Sequence, residues 1–315
     1  MIMDLYITID GGTTNTRISL IKNKIVVDAV KLNIGARIGI ENKDLIKTAI
    51  KEAIEKLLKE NSINKKDVIC ILASGMITSE FGLCNLEHIK APAGINELHN
   101  NMHKTELKEI TDIPFVFIRG IRIDDESFEN ADVMRGEETE LMGMINPDYG
   151  KCVYILPGSH SKIIKCYEDG RIRDFSTMLT GEMIAALSQQ TILKDAVNLK
   201  ISDINSEYLL NGYDFCSCNG INKALFKVRI LKNIFKCDEE KIYSFFIGIV
   251  LCGEIEQILN CDVETVVIGG KTQIKNAMAM ILAKRSDKKI ISLNEDTVNN
   301  STSLGAIRIF EHRRE

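Results

Sequence analysis

Residues 4–17, Asp-Leu-Tyr-Ile-Thr-Ile-Asp-Gly-Gly-Thr-Thr-Asn-Thr-Arg, decide the fold expected for this chain. An apolar strand ends at Asp10, and Gly11-Gly12-Thr13-Thr14 form a turn with little side-chain bulk. Polar and apolar residues then alternate over 16–20, so a second strand returns antiparallel to the first. Glycines without a Cβ let backbone N–H groups approach an anion, and the two threonine hydroxyls add donors. The turn therefore predicts a phosphate site, with Asp10 holding Mg²⁺ through water.

This hairpin differs from the two commoner phosphate loops. It lacks a Lys-Ser/Thr ending, and it opens a second strand rather than a helix. A strand–Asp-Gly-Gly-Thr-Thr–strand hairpin resembles the first phosphate motif of the actin-like ATPase and sugar kinase superfamily. The alternative is a Gly-Gly turn that binds no ligand, so motifs elsewhere in the chain must decide.

The bulk composition indicates a globular protein of two domains. The chain has 315 residues, of which 45% are hydrophobic and 27% are charged. A formal charge of −4 with scattered Lys and Arg disfavours a nucleic-acid partner. We expect no apolar run near membrane-spanning length and no signal peptide. Most of the nine cysteines lie in apolar segments. We therefore expect a cytoplasmic protein without a membrane partner.

The order of the predicted elements repeats in outline along the chain. The first half reads strand, strand, strand, helix, strand at 4–10, 16–22, 25–32, 44–60 and 68–73. The second half begins with a helix and three strands at 132–145, 151–156, 161–167 and 171–176. With the resemblance above, this order implies an α/β, two-domain actin-like ATPase (ribonuclease H-like) fold. We expect a nucleotide cleft between domains 1–130 and 131–315.

A second hairpin of the same kind lies at residues 154–162, Tyr-Ile-Leu-Pro-Gly-Ser-His-Ser-Lys. An apolar strand enters the turn at Gly158, Ser159 and His160, and an antiparallel strand leaves it. As the second hairpin in the order of the superfamily, it is interpreted as a second phosphate contact, with Lys162 as a further one. An ordinary turn and a solvated lysine are the alternatives.

A strand ending in two glycines marks the expected nucleoside site. Residues 266–270, Val-Val-Ile-Gly-Gly, precede a predicted helix. Gly269 and Gly270 let a flat ring lie against the backbone, and the helix N-terminus adds a positive dipole. In the superfamily the adenosine part of ATP lies here, so the cofactor expected is ATP.

Several segments resemble the 2-dehydro-3-deoxygalactonokinases, sugar-acid kinases of the galactonate pathway. They are Gly75-Met76 with Ser79 and Gly82, then 91–94, 132–143, 156–162 and 175–182. The resemblance implies transfer of the γ-phosphoryl group of ATP, with Mg²⁺, to the 6-hydroxyl of 2-dehydro-3-deoxy-D-galactonate. Gly75 and Met76 belong to the substrate region, whereas 113–122 matches the family more loosely.

A sugar kinase needs a carboxylate that accepts the proton of the attacking hydroxyl. Asp132 precedes a predicted helix and the second hairpin, which is where related sugar kinases carry their catalytic Asp. Asp is also a good N-cap, so a purely structural Asp132 is the alternative. Glu137 and Glu138 are the other candidates for the base.

An acid substrate calls for an arginine fork for its carboxylate. The candidates are Arg17, Arg119, Arg122 and Arg135. Arg135 lies one predicted helical turn after Asp132, so both could serve one site, and a structural ion pair is the alternative.

Two rival functions stay open at this point. The first is a kinase for another sugar or sugar acid, such as the 2-dehydro-3-deoxygluconate epimer. The second is a non-catalytic sugar or nucleotide sensor of the same fold. A homodimer is an open expectation for the assembly.

Overall fold

The structure is a computed structural model that describes residues 4–39, 42–124, 128–270 and 272–312. The chain divides into two compact units. Unit 1 comprises Met1–Pro147, Asp169–Asp174 and Asp296–Glu315, and unit 2 comprises Asp148–Glu168 and Phe175–Glu295. The division at residue 130 and the cleft both stay predictions.

Unit 1 contains a six-stranded sheet with strand order β3-β2-β1-β4-β7-β6 and a three-stranded sheet with order β5-β8-β9. The strands are β1 (Leu5–Gly11), β2 (Thr16–Lys22), β3 (Ile25–Leu32), β4 (Cys70–Gly75), β5 (Ile89–Lys90), β6 (His103–Thr105), β7 (Phe115–Phe117), β8 (Ile121–Ile123) and β9 (Asp132–Met134). The helices are α1 (Ala36–Gly39), α2 (Lys43–Glu60), α3 (Ile95–Asn100) and α4 (Glu137–Met144), and the chain's last helix, which begins at Glu295 and ends at Glu311, also lies almost wholly here.

The first hairpin and the helix after it form as the sequence pattern predicts. β1 runs antiparallel to β2 and parallel to β4, so Asp10 lies opposite Arg17 on one side and Ser74 on the other. The apolar face of α2 buries Ile46 and Ile54 in the core of the unit, at 2% and 0% exposure. The end of β1 is thereby fixed next to the end of β4.

Unit 2 is built on a five-stranded sheet with order β12-β11-β10-β13-β14. The strands are β10 (Cys152–Leu156), β11 (Ser161–Cys166), β12 (Ile172–Met178), β13 (Thr265–Ile268) and β14 (Lys289–Ser292), and the first three residues of β12 belong to unit 1. The helices are α5 (Thr180–Gln190), α6 (Ser206–Asn219), α7 (Ile221–Asn233), α8 (Glu239–Leu259) and α9 (Thr272–Arg285), and the helix Glu295–Glu311 is α10. Short 3₁₀ turns occur at Lys65–Asp67, Met76–Thr78, Pro147–Tyr149 and Ile192–Asp195.

One helix corrects the expectation that no apolar run approaches membrane-spanning length. Among the described residues, α8 passes that test by length and composition, with a mean hydropathy of 1.6. However, 78% of its apolar window is buried within the protein, where Phe246, Leu251 and Ile255 are fully enclosed. The helix forms the centre of the core of unit 2, which explains why it is apolar on all sides.

The predicted helix 132–145 is wrong over its first five residues. Asp132–Met134 is strand β9, which pairs antiparallel with β8, and the helix begins only at Glu137. Gly136 has φ 117°, a conformation that stops a helix from extending backwards. Asp132 is therefore not the N-cap of α4, and this alternative reading of Asp132 is wrong.

Candidate functional site

The turn of the first hairpin is closed and anchored by backbone hydrogen bonds. The N–H of Gly12 donates to the carbonyl of Asn15 at 2.8 Å. The N–H groups of Ala36 and Arg37 donate to the carbonyls of Gly12 and Thr13, at 3.1 and 3.0 Å. The side chains of Thr13 and Thr14 are exposed. The loop is thus a fixed turn that presents two hydroxyls outward, as a phosphate site requires.

Asp10 carries the most informative electrostatics of this hairpin. Burial, followed by the negative charge of Glu137, raises the pKa of Asp10 to about 6. The Arg17 guanidinium opposes both effects, and it also donates to the carbonyl of Asn299 at 2.9 Å. A carboxylate in this environment gains from a nearby cation, since a positive charge stabilises its ionised form.

Three further carboxylates follow on α4. Burial, followed by the charge of Glu137, raises the pKa of Glu138 to about 8. The hydrogen bonds that Glu138 accepts from the N–H of Gly136 and the hydroxyl of Thr139 act in the opposite direction. Burial is also the largest cause that raises the pKa of Glu140 to about 8, and the negative charge of Asp10 is the second. The carboxylates of β1 and α4 therefore share one electrostatic environment within unit 1.

The residues at Asp10 suit a hydrated magnesium ion. No group of three or more His, Cys, Asp or Glu side chains in the described part of the chain is arranged to hold a metal directly. Mg²⁺ commonly keeps several waters and takes one or two carboxylates together with substrate phosphates. Asp10 next to a side-chain-poor turn meets that requirement, and the ion would be held through water.

Two glycines allow the backbone to close around the end of β1. A Cβ on Gly75, whose φ is 79°, would lie 2.4 Å from the carbonyl oxygen of Gly11. A Cβ on Gly11 would meet Ile77 at 2.8 Å. Met76 begins the 3₁₀ turn that follows Gly75. These two predicted substrate residues thus lie directly beside the turn that is predicted to bind phosphate.

The two base candidates differ in their surroundings. Asp132 is half-buried in β9, and its Oδ1 accepts from the N–H of Val133 at 2.6 Å. Glu137 begins α4, and its Oε2 accepts from the N–H of Arg135 at 2.9 Å. Glu137 is also the anion that most raises the pKa of Asp10. Both roles stay predictions.

The guanidinium of Arg135 binds the segment that follows β4. Its Nη1 donates to the carbonyl and the hydroxyl of Thr78, at 2.6 and 2.7 Å. Its Nη2 donates to the carbonyl of Leu86 at 3.1 Å and lies 3.3 Å from Nδ1 of His88. Arg135 therefore holds the predicted substrate region in shape, a function that the sequence analysis did not foresee.

The second hairpin lies on the N-terminus of α5. The N–H of Gly181 donates to the carbonyls of Gly158 and Ser159, both at 3.1 Å, and that of Glu182 donates to Ser159 at 3.3 Å. Nε2 of His160 lies 3.1 Å from the Glu182 carboxylate. The turn residues Ser159 and His160 are exposed on this anchored turn, so a ligand could reach them.

Lys162 has a different environment from the one expected for a solvated lysine. It is 4% exposed, and its ammonium group donates to the hydroxyl of Thr177 at 2.7 Å. The solvated alternative is therefore wrong, while its phosphate contact stays a prediction.

Glu254 is a residue that sequence reasoning missed. It lies on α8 at 3% exposure, and its Oε2 accepts from the hydroxyl of Thr180 at 2.6 Å. Its Oε1 has no hydrogen-bond partner in the part of the chain that the structure describes. Burial raises the pKa of Glu254 to about 7, against hydrogen bonds from Thr180 and Ser161. The sequence feature that could have indicated Glu254 is its position as an acidic residue within the largely apolar stretch of α8. Glu254 thus connects α8 to the first residue of α5, the helix on whose N-terminus the second hairpin lies.

The two glycines after β13 lie against this hairpin within unit 2. The N–H of Gly269 donates to the carbonyl of Ile155 at 2.8 Å. Gly270 has φ 74°, and a Cβ there would lie 2.7 Å from Pro157. The predicted nucleoside and phosphate elements of unit 2 are therefore neighbours.

A family model described as 2-keto-3-deoxy-galactonokinase matches residues 10–301. The chain belongs to this family. It is 27% identical over 195 residues to a probable 2-dehydro-3-deoxygalactonokinase of Rhizobium meliloti, covering 61% of this chain and 59% of that relative. It is 23% identical over 257 residues to the 2-dehydro-3-deoxygalactonokinase of Escherichia coli, covering 79% of each chain.

Solved structures confirm the fold of this family member. A protein of Sinorhizobium meliloti, provisionally named a 2-dehydro-3-deoxygalactonokinase, superposes with a TM-score of 0.79 at 20% identity, covering 98% of this chain and 99% of that one. The activator of a Clostridium difficile 2-hydroxyisocaproyl-CoA dehydratase, solved with bound ADPNP, superposes with a TM-score of 0.51 at 14% identity, covering 99% and 96%. The predicted actin-like ATPase and sugar kinase fold is thus confirmed.

Proposed function

We propose that this protein is an ATP-dependent kinase that phosphorylates the 6-hydroxyl of 2-dehydro-3-deoxy-D-galactonate. The observation that carries the proposal is the Asp10 hairpin beside the α4 carboxylates, inside a chain matched by the kinase family over residues 10–301. The names of the relatives from Rhizobium meliloti and Escherichia coli support the same acceptor.

Each unit contributes one anchored turn to nucleotide binding in this proposal. In unit 1, Asp10 holds hydrated Mg²⁺, while the N–H groups and hydroxyls of Gly11 to Thr14 contact phosphate oxygens. In unit 2, the turn of Gly158, Ser159 and His160 contacts phosphate, with Lys162 near it, and Gly269-Gly270 lies against the adenosine. When bound, Mg·ATP supplies the phosphoryl group and neutralises its developing charge.

The proton of the 6-hydroxyl passes to a carboxylate of unit 1. Asp132 and Glu137 are the two proposed acceptors. A base must ionise near the working pH and lie within hydrogen-bond reach of the hydroxyl. Arg17, Gly75, Met76 and Arg135 are proposed to bind or frame the acceptor, Arg135 through the segment 78–88.

The alternative acceptors are separable by one experiment. A coupled assay on a panel of sugar acids and neutral sugars, with and without Mg²⁺, should give the highest kcat/KM for 2-dehydro-3-deoxy-D-galactonate. A higher value for the gluconate-derived epimer would assign the other substrate. Binding of ATP and sugar acid without transfer at any Mg²⁺ concentration would identify a sensor instead.

We also propose that the protein works in the cytoplasm. All nine cysteines are free thiols, of which five are buried. A reducing compartment keeps such thiols reduced, and it also supplies ATP.

A further inference from the structure

One face of the three-stranded sheet in unit 1 carries a concentration of basic side chains. Lys90 of β5 lies opposite Arg122 of β8, which in turn lies opposite Val133 of β9. Because side chains alternate along a strand, His88 and Arg135 fall on the same side, two residues from Lys90 and Val133. We call His88, Lys90, Arg122 and Arg135 the basic face.

A glycine opens the middle of the basic face. A Cβ on Gly120 would lie 2.7 Å from Cδ2 and 3.1 Å from Nε2 of His88. Any other residue at this position would displace the imidazole, so the ring lies directly over the backbone of Gly120. The imidazole of His88 therefore occupies the space that a side chain at position 120 would take.

The basic face already holds one carboxylate. Oδ2 of Asp124 lies 2.5 Å from Nζ of Lys90 and 3.4 Å from Nη2 of Arg122. The hydrogen bond from Lys90 lowers the pKa of Asp124, and the charges of Arg122 and Lys90 act in the same direction. Among the described residues, Lys90 and Arg122 therefore share the one carboxylate of Asp124.

Arg122 has donor capacity that no residue of the described ranges uses. Its Nε is buried and is one of two buried side-chain polar atoms without a partner among the described residues. A guanidinium pairs most strongly with a carboxylate through two parallel hydrogen bonds, from Nε and a terminal nitrogen. A ligand carboxylate on the Nε side of the guanidinium would accept a hydrogen bond from Nε, whereas Asp124 accepts only from Nη2 of this guanidinium.

His88 adds a neutral donor to the face. Arg135 has no acceptor, so Nδ1 of His88 accepts from its Nη2, and the ring proton lies on Nε2. Burial, together with the charges of Arg135 and Arg122, lowers the pKa of His88 to about 4, which keeps the ring neutral.

We propose that the basic face binds the C1 carboxylate of the sugar-acid acceptor, with Arg122 as its bidentate ligand and Lys90 as a second cation. This inference rests on the proposed function. The carboxylate and the 6-hydroxyl lie at opposite ends of the acceptor, so its ligand must lie apart from the α4 carboxylates. Arg135 connects the two places, because its side chain meets His88 while its N–H donates to Glu137.

The test compares Arg122→Gln with the wild type on two substrates, the sugar acid and its analogue with a primary alcohol at C1. Loss of a charge-assisted bidentate pair should raise KM for the acid by about 10- to 100-fold. KM for the neutral analogue and for MgATP should change less than twofold. Lys104→Gln, which removes an exposed charge on β6, is the matched control and should change neither KM.

A second variant is expected to change KM for the acid in the opposite direction. Asp124→Asn removes the competing carboxylate, so KM for the acid should fall by about two- to tenfold. Arg122→Lys keeps the charge but loses the fork, so its KM should lie between those of the wild type and Arg122→Gln. These two variants decide the question if Arg122→Gln does not fold.

The outcomes separate this inference from the proposed function. If the wild type phosphorylates the acid while Arg122→Gln keeps its KM within twofold, the basic face is not the carboxylate site. An unchanged or higher KM in Asp124→Asn contradicts the inference in the same way. If the wild type takes only neutral sugars, the proposed function itself fails.

Discussion

Gly136 lies against Gly75, and a Cβ on Gly136 would be 3.1 Å from the α-carbon of Gly75. Both glycines have positive φ, 117° and 79°. This contact places the start of α4 beside the end of β4, and hence beside the end of β1. The mutual influence of the carboxylates of Asp10, Glu137 and Glu140 follows from it.

Gly136→Ala should therefore lower the free energy of unfolding by roughly 2–3 kcal/mol. The alanine would hold a strained positive φ, and its Cβ would also press against the backbone of Gly75. Gly150→Ala is the matched control. Gly150 also has positive φ, 64°, but a Cβ there meets nothing within 4 Å, so its cost should stay near roughly 1 kcal/mol. Urea denaturation followed by circular dichroism measures both. Equal costs would show that the contact with Gly75 contributes nothing.

Asp10→Asn should abolish phosphoryl transfer and yet leave the fold intact. The pKa of Asp10 is about 6, above its ordinary value of 3.8, so its folded form binds the proton more tightly. The resulting stability is complete below pH 3.8 and is lost as the pH rises through 6. At pH 8 without Mg²⁺, the Asn variant should be more stable than the wild type by roughly 2–3 kcal/mol. Near-normal turnover in this variant would remove Asp10 from magnesium binding.

The catalytic base can be assigned by comparing Asp132→Asn with Glu137→Gln. The variant that lacks the base should lose roughly two to four powers of ten in kcat, with KM for both substrates within a few-fold. Since Asp132 lies in β9 and caps no helix, a large loss in Asp132→Asn would not be explained by a lost cap. Single-turnover measurements separate the chemical step from product release. If both variants keep wild-type turnover, neither residue is the base.

Glu254→Gln should flatten the dependence of stability on pH. The pKa of Glu254 is about 7, above its ordinary value of 4.5, so the wild type loses stability as the pH rises from 4.5 through 7. The wild type should lose roughly 3 kcal/mol in the free energy of unfolding over this pH range, and the variant should not show this loss. Gln retains an oxygen that can accept from Thr180, so the hairpin anchor is kept. Thermal melting between pH 5 and 8 measures the slope, and parallel curves for both proteins would contradict the shifted pKa.

Local patterns in the sequence determined both hairpins, the Gly-Gly strand end and helix α2. The alternation around residues 11–14 and 157–160 specifies a strand, a turn and a returning strand within 18 residues of chain (5–22) and 15 residues of chain (152–166). The apolar spacing of α2 specifies its buried face in the same way. These features depend on neighbours in the chain, so they can be predicted without the fold.

Only the tertiary structure decided how the charged side chains are used. Arg135 binds Thr78 and Leu86, which lie 57 and 49 residues away, and Thr180 reaches Glu254 across 74 residues. Asp132 joined a strand because β8 supplies its partner, against a local pattern that indicated a helix. A pKa and a hydrogen-bond partner depend on burial and on charges brought together from distant parts of the chain, and no local pattern records those distances.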